Sequence, residues 1–278
     1  MPDVADKEWP SSAGHARTQL RACAAAFEFL TRIPVHRVVS NDLGDLGRAA
    51  PYFPLVGVVV GTTGGLVFGA AALLWPTPLA VVISVAVTVW MTGAFHEDAL
   101  ADALDGFGGG WDRAQILAIM KDSRVGSYAL VGVALVLGAK LLALATIAGA
   151  IGDTPRAVAP TVRALIAAHV LARWSSLPLI WRYPYVRPTV DGDRPSAGRP
   201  LAGAVTLPQL LAATAFSLVV VTLTLGARSI PVVAATVVVT WLAGRYFDRR
   251  LGGITGDALG AANQLVELSV YLTLAARR

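Results

Sequence analysis

The chain has 278 residues, of which 55% are hydrophobic and 15% are charged, well below the roughly 25% charged residues of soluble domains. No hydrophilic stretch is long enough for a separate soluble domain, so residues 1–278 read as one integral membrane domain. The net charge of +5 is scattered between apolar segments rather than clustered, which reads as a topology signal and not as a nucleic-acid surface, and the single cysteine, Cys23, excludes an internal disulfide or a Cys-based zinc cluster.

The first residues carry Asp3, Asp6 and Glu8 ahead of any apolar run. A secretory signal begins with basic residues, so no cleaved targeting segment is expected. Within a cytoplasmic N-terminal segment, 1–50, His15–Leu30 mixes Arg17, Arg21 and Glu28 with Leu20, Ala24, Phe27 and Leu30. It is expected to form an amphipathic helix, either lying on the membrane surface or packed on the domain. Apolar runs long enough to cross a bilayer then follow at Tyr52–Trp75, Pro78–Phe95, Gly126–Ile151, Ala157–Trp181, Val205–Leu225, Ile230–Gly244 and Ala258–Ala275. The sixth is short and the seventh carries polar residues. The expectation is an all-α polytopic membrane helix bundle with about six or seven transmembrane helices, because these runs lack the alternation of a β-barrel. Gly57, Gly61, Gly65 and Gly69 form a small-residue stripe on the first span, suited to close helix packing.

Seven spans with a cytoplasmic N-terminus sort the basic residues unevenly. One side receives Lys7, Arg17, Arg21, Arg32, Arg37 and Arg48, then Arg113, Lys121 and Arg124, then Arg182, Arg187, Arg194 and Arg199, and finally Arg245, Arg249 and Arg250. The other side receives Arg156, Arg228, Arg277 and Arg278, while Lys140, Arg163 and Arg173 fall within spans. Positive charge stays inside, which places the N-terminus and the three longer loops in the cytoplasm.

The segment Phe95–Tyr128, FHEDALADALDGFGGGWDRAQILAIMKDSRVGSY, holds Glu97, Asp98, Asp102, Asp105, Asp112 and Asp122. At about 100° per residue, Asp98, Asp102 and Asp105 share one helix face within roughly 60°. Carboxylates this close either take up protons or gather round a cation, and Mg²⁺ prefers such oxygens and binds substrate phosphates alongside them. A solvated acidic helix end is the bland alternative, but ionisable residues at the end of a span are functional candidates. Downstream, Arg113, Lys121, Ser123 and Arg124 read either as polyphosphate contacts or as topology charges. Gly106 and Gly108–Gly110 are expected to end the helix, as a plain turn or with backbone N–H groups turned to phosphate. In the last span Asp257, Gln264 and Glu267 form a polar stripe, for a cavity or for interhelix hydrogen bonds. His96 reads as an acid–base or a packing residue, and His169 has no assignable role. The loop Trp181–Gly198 reads as a substrate lid or an aromatic interfacial belt.

Several blocks resemble, in order, the cobalamin synthases, the membrane-bound adenosylcobinamide-GDP ribazoletransferases of bacteria and archaea. They are Phe29–Val35 (FLTRIPV), Tyr52–Gly61 (YFPLVGVVVG), His96–Gly106 (HEDALADALDG), Ile119–Tyr128 (IMKDSRVGSY) and Gly252–Glu267 (GGITGDALGAANQLVE). Ala99 departs from the Gly usual after the first Asp. The resemblance implies a multi-pass protein of the bacterial inner membrane with its active site facing the cytoplasm. The implied reaction is Mg²⁺-dependent: a hydroxyl of α-ribazole, or of its 5′-phosphate, attacks the phosphate attached to cobinamide in adenosylcobinamide-GDP, and GMP leaves. Glu97, Asp98, Asp102 and Asp105 would hold metal. Asp105 or Asp122 would serve as base, with Lys121 catalytic beside them. Arg113, Ser123, Arg124, Asp257, Gln264 and Glu267 would bind substrate. The alternatives are a CDP-alcohol phosphotransferase, whose fuller motif this chain does not follow, and a transporter, whose carboxylates would lie nearer the bilayer midplane. The sequence leaves the oligomeric state open.

Overall fold

A computed structural model describes residues 12–39, 47–149, 158–186, 203 and 205–276. The α-helices among the described residues are α1 (Ser12–Leu30), α2 (Phe53–Ala71), α3 (Thr77–Thr92), α4 (Phe95–Gly109), α5 (Arg113–Ile119), α6 (Ser127–Ile147), α7 (Val158–Arg182), α8 (Leu207–Leu225), α9 (Ser229–Leu251) and α10 (Gly256–Ala275). A helical membrane bundle results, as the apolar runs require, because a helix satisfies its own backbone where lipid offers no hydrogen bonds.

Two apolar clusters toward opposite ends of the bundle give each helix its direction. One, here the site end, contains Phe53, Met91, Leu177, Leu210, Phe247 and Ala258. The other contains Phe68, Ala80, Leu144, Leu165, Val221, Val232 and Val270. Thus α2, α8 and α10 run away from the site end, and α3, α7 and α9 run toward it; α6 also runs away, from a smaller site-end cluster. Four stretches meet length and composition limits for a span: Ala50–Ala71, Ser127–Ile147, Val158–Arg182 and Leu207–Leu251. The bent pair Thr77–Thr92 and Phe95–Gly109 makes a fifth. The stretch Leu207–Leu251 has 45 residues, about 68 Å at 1.5 Å each, more than twice a bilayer core of about 30 Å. It folds back at Gly226, whose φ of 58° and ψ of −133° are not helical. With α10, which is less apolar, the described residues pass between the two ends seven times, the upper of the two expected counts.

The central helix is α7, 78% of whose most apolar stretch is buried. It meets α2 along the glycine stripe. A Cβ at Gly57 would strike the His169 carbonyl, and one at Gly61 would lie 2.6 Å from Ile166 Cα, so the two backbones touch directly. At the site end α1 packs on the bundle through Ala22, Ala25, Ala26 and Leu30, in keeping with the packed alternative.

Three local expectations change. The second span does not continue into the acidic helix: α3 stops at Thr92, Gly93 and Ala94 both take left-handed φ, and α4 leaves at 86°. The helix does not stop at Gly106: α4 runs on to Gly109 and ends only within the run Gly108–Gly110. Gly106 and Gly108 are instead contact points, where a Cβ would lie 2.6 Å from Met120 and from the Tyr128 ring. Finally, α9 reaches Leu251, seven residues beyond the expected end.

Candidate active site

The acidic helix α4 is wedged between α10 and α6, with α5 folded under its C-terminal half. Gly260 of α10 abuts Ala99, and Gln264 Nε2 donates to Glu97 Oε1 at 3.0 Å. Gly106 abuts Met120 on the α5 side. These contacts leave Asp98 exposed and Asp102 half-buried on the remaining face, as the helical spacing requires.

Asp105 has a different setting. Its Oδ2 accepts from Gly126 N–H at 2.6 Å and its Oδ1 from Ala129 N–H at 2.9 Å. The first N–H groups of a helix lack partners within it, so Asp105 caps α6 from another helix. Gly126 has to be small here, because a Cβ would lie 2.5 Å from Oδ1 of Asp105. Glu97 turns away from Asp98 to Gln264, and its Oε2 is buried without a hydrogen-bond partner among the described residues. The structure therefore brings Asp98 and Asp102 together on the open face and sends Asp105 and Glu97 elsewhere.

The basic loop follows α5. Met120 packs against Gly106, one turn beyond Asp102, which brings the loop that begins at Lys121 to the C-terminal half of α4; Lys121, Ser123 and Arg124 are exposed. Asp122 is engaged by Arg124, whose backbone N–H and Nε donate at 3.0 and 2.9 Å. Those bonds hold the Asp122 carboxyl down at about 2, which makes it a weak proton acceptor at neutral pH. Asp112 caps α5, accepting from Gln115 N–H at 2.9 Å.

The α9–α10 turn closes the site end. Ile254 N–H donates to Pro184 O and accepts Val186 N–H on its own carbonyl, both at 2.9 Å, tying the start of the Trp181–Gly198 loop to the turn. Gly253, at φ 155°, lies against the Pro184 carbonyl, where a side chain would clash. Arg113 reaches the same strap through Val186 O at 3.5 Å. Residues 187–198 of that loop, with Asp191, lie outside the described residues, as do Arg156, Arg199 and the acidic N-terminus. Asp257 stands in the first turn of α10, behind the Thr255 cap. Gln264 meets Glu97, Gly260 meets Ala99, and the helices are antiparallel, so this register carries Asp257 to the level of Asp102.

Gln264 and Glu267 do not reach that open face. They are 2% and 6% exposed and belong to an interior polar node with Lys140, His169, Arg173 and Tyr271. Lys140 donates to Gln264 and pairs with Glu267 at 3.0 Å. Tyr271 donates to the same Glu267 oxygen, Oε1, at 3.2 Å, and Arg173 meets His169 Nδ1 at 3.0 Å. His96, Glu97, His169 and Arg173 line a cavity of about 10 Å³, room for about one water molecule. The available signal was Lys140 and Arg173 themselves: charges inside apolar runs seek partners.

Among the described residues no three His, Cys, Asp or Glu side chains are placed to hold a metal ion together. Mg²⁺ commonly takes one or two carboxylates and completes its shell with water and substrate phosphate. The Asp98–Asp102 pair, on one face and reachable from water, fits that mode; a ready-made four-carboxylate cage is not what the residues form.

The family model described as cobalamin-5-phosphate synthase matches residues 22–275. The chain belongs to that family. Relatives named adenosylcobinamide-GDP ribazoletransferase come from Shewanella frigidimarina, 39% identical over 93% of this chain and 95% of the relative, and from Leptothrix cholodnii, 41% identical over 89% and 92%. A third, from Ralstonia nicotianae, is 38% identical over 94% and 96%. No solved structure matches the chain. The matched region spans α2 to α10 and the C-terminal half of α1, so the acidic face, the basic loop and the α9–α10 turn all lie within the family's shared sequence.

Proposed function

We propose that this member of the cobalamin-5-phosphate synthase family transfers the adenosylcobinamide phosphate group of adenosylcobinamide-GDP to α-ribazole or its 5′-phosphate. An oxygen–phosphorus bond forms at the phosphate attached to cobinamide, the bond from that phosphorus to GMP breaks, and the hydroxyl proton leaves with solvent or a base. The observation that carries the reading is the pair Asp98 and Asp102 on the open face of α4, with the basic loop from Lys121 following the helix packed against it, inside a family match of nearly full length. When bound, Mg²⁺ supplies charge neutralisation for phosphoryl oxygens. Asp98 and Asp102 would hold it. Lys121, Arg113 and Arg124 offer the donors that phosphoryl transfer needs for positioning and charge balance. Asp105, committed to the α6 cap, fixes α6 against α4 and so orients the loop from Lys121 to Gly126.

The site end collects most of the basic loop residues, which supports an inner-membrane protein with the site facing the cytoplasm. The test is purified protein mixed with adenosylcobinamide-GDP and α-ribazole, with and without Mg²⁺. Metal-dependent GMP release with formation of adenosylcobalamin is expected. Absence of GMP release from folded protein would overturn the assignment, and transport of substrate without bond cleavage would favour a carrier.

A further inference from the structure

A large apolar space lies on the other side of α4 from Asp98 and Asp102. A cleft of about 990 Å³ runs between α4, α6, α9 and α10. Leu104 and Phe107 of α4 form its floor, and Val131, Val136, Leu242 and Leu265 form its sides. Val131 and Leu242 are 58% and 53% exposed, on two segments apolar enough to cross a membrane. The cleft therefore opens sideways, into the bilayer. Its polar side chains are Ser127, Tyr128 and Tyr246. A nucleotide or an amide-bearing ring placed there would leave polar groups unpaired against hydrocarbon, which is costly.

At the rim stands Arg250. Its guanidinium lies 6.0 Å from the Phe107 ring centre and 5.8 Å from that of Tyr246. It donates to Gly110 O at 2.8 Å and to Tyr246 Oη at 3.3 Å. Two of five guanidinium donors are thus used to fix it. Arg245 and Arg249, against Asp248 alone, keep this end of α9 cationic. A fixed guanidinium suits phosphate recognition, and basic residues at the end of a span attract anionic lipid.

We propose that this cleft is a specific site for an anionic phospholipid, with an acyl chain in the cleft and the phosphate on Arg250. The apolar wall, the lateral opening and the cationic rim match the three parts of such a molecule: chain, bilayer origin and charged head. The site is separate from the reaction, since α4 turns its carboxylates the opposite way.

Native mass spectrometry tests it without any reaction substrate. The full chain is released from mixed micelles holding equal phosphatidylglycerol and phosphatidylcholine of identical acyl composition. The wild type should retain one phosphatidylglycerol several-fold more often than phosphatidylcholine. Arg250→Gln should equalise the two, and Arg250→Lys should keep a reduced preference. Val136→Trp, which fills the cleft from its half-exposed wall, should lose the retained lipid of both kinds. Equal retention by the wild type, an unchanged preference in Arg250→Gln, or full retention in Val136→Trp would each overturn the proposal.

Discussion

Replacing Lys140 by Met probes the interior node that holds α4 to α6 and α10. Lys140 is 2% exposed, and its ammonium lies 3.0 Å from Glu267 and donates to Gln264. Met keeps most of the volume but leaves Glu267 with Tyr271 as its hydrogen-bond donor and no cation at that distance. Breaking a buried ion pair from one side costs about 3–5 kcal/mol, because the other charge stays behind. For a chain of this size that corresponds to a Tm lower by on the order of 10 °C. The second half of the experiment is Lys140→Met with Glu267→Gln. With both charges gone, much of the loss should return, since replacing both partners of a buried pair is often neutral. Detergent-solubilised protein followed by intrinsic tryptophan fluorescence on heating reads all four corners of the cycle. A single variant within about 1 kcal/mol of wild type, or a double variant no better than the single, would refute the view that this pair is a coupled unit.

Further outcomes follow from the site. Asp102→Asn should abolish Mg²⁺-dependent GMP release while the protein still elutes as a folded species in detergent; near-normal turnover would remove Asp102 from the metal site. Asp257→Ala should lower kcat strongly with little change in thermal stability, whereas a less stable bundle of normal specific activity would make Asp257 a packing residue. Gly126→Ala places a methyl carbon 2.5 Å from Asp105 Oδ1 and should cost about 1–3 kcal/mol as an overpacked contact, measured by thermal unfolding; an unchanged midpoint would show that the α6 cap can shift freely. The Asp122 carboxyl sits at about 2 in the folded protein against an ordinary 3.8. The stabilisation from its pairing is therefore complete above the ordinary value and is lost as pH falls toward 2. The difference in unfolding midpoint between wild type and Asp122→Asn should stay constant from pH 8 to 5 and shrink below pH 4, and a difference that varied across neutral pH would contradict it.

The spans were legible because each is an apolar run that lipid forces into a helix, and the glycine stripe of α2 could be read as packing because spacing alone puts it on one face. The acidic face was legible in part. Helical periodicity groups Asp98, Asp102 and Asp105, but it cannot tell that Gly126 and Ala129 would claim both oxygens of Asp105 from across the bundle. Likewise the stripe of Gln264 and Glu267 was visible, yet its partners Lys140, His169 and Arg173 come from two other helices. The break at Gly93–Ala94 is not legible in the sequence, because Pro78–Phe95 reads as one apolar run. A left-handed alanine has no sequence signature of its own; φ of 57° at Ala94 is imposed by the packing around it.

That break has a consequence for how the protein is made. Neither α3, with 16 residues, nor α4, with 15, reaches the roughly 20 residues that cross a bilayer unaided. The half that carries the carboxylates also holds Glu97, whose partner Gln264 lies 167 residues further along. At roughly 5–20 residues per second of synthesis, the ribosome adds that residue about 8–30 s later. During this interval the acidic helix has no α10 to lean on and stays at the water boundary. It meets its partner Gln264 only when the last helix enters, so the packing that supports the face with Asp98 and Asp102 is completed at the end of translation, by the segment that also brings Asp257.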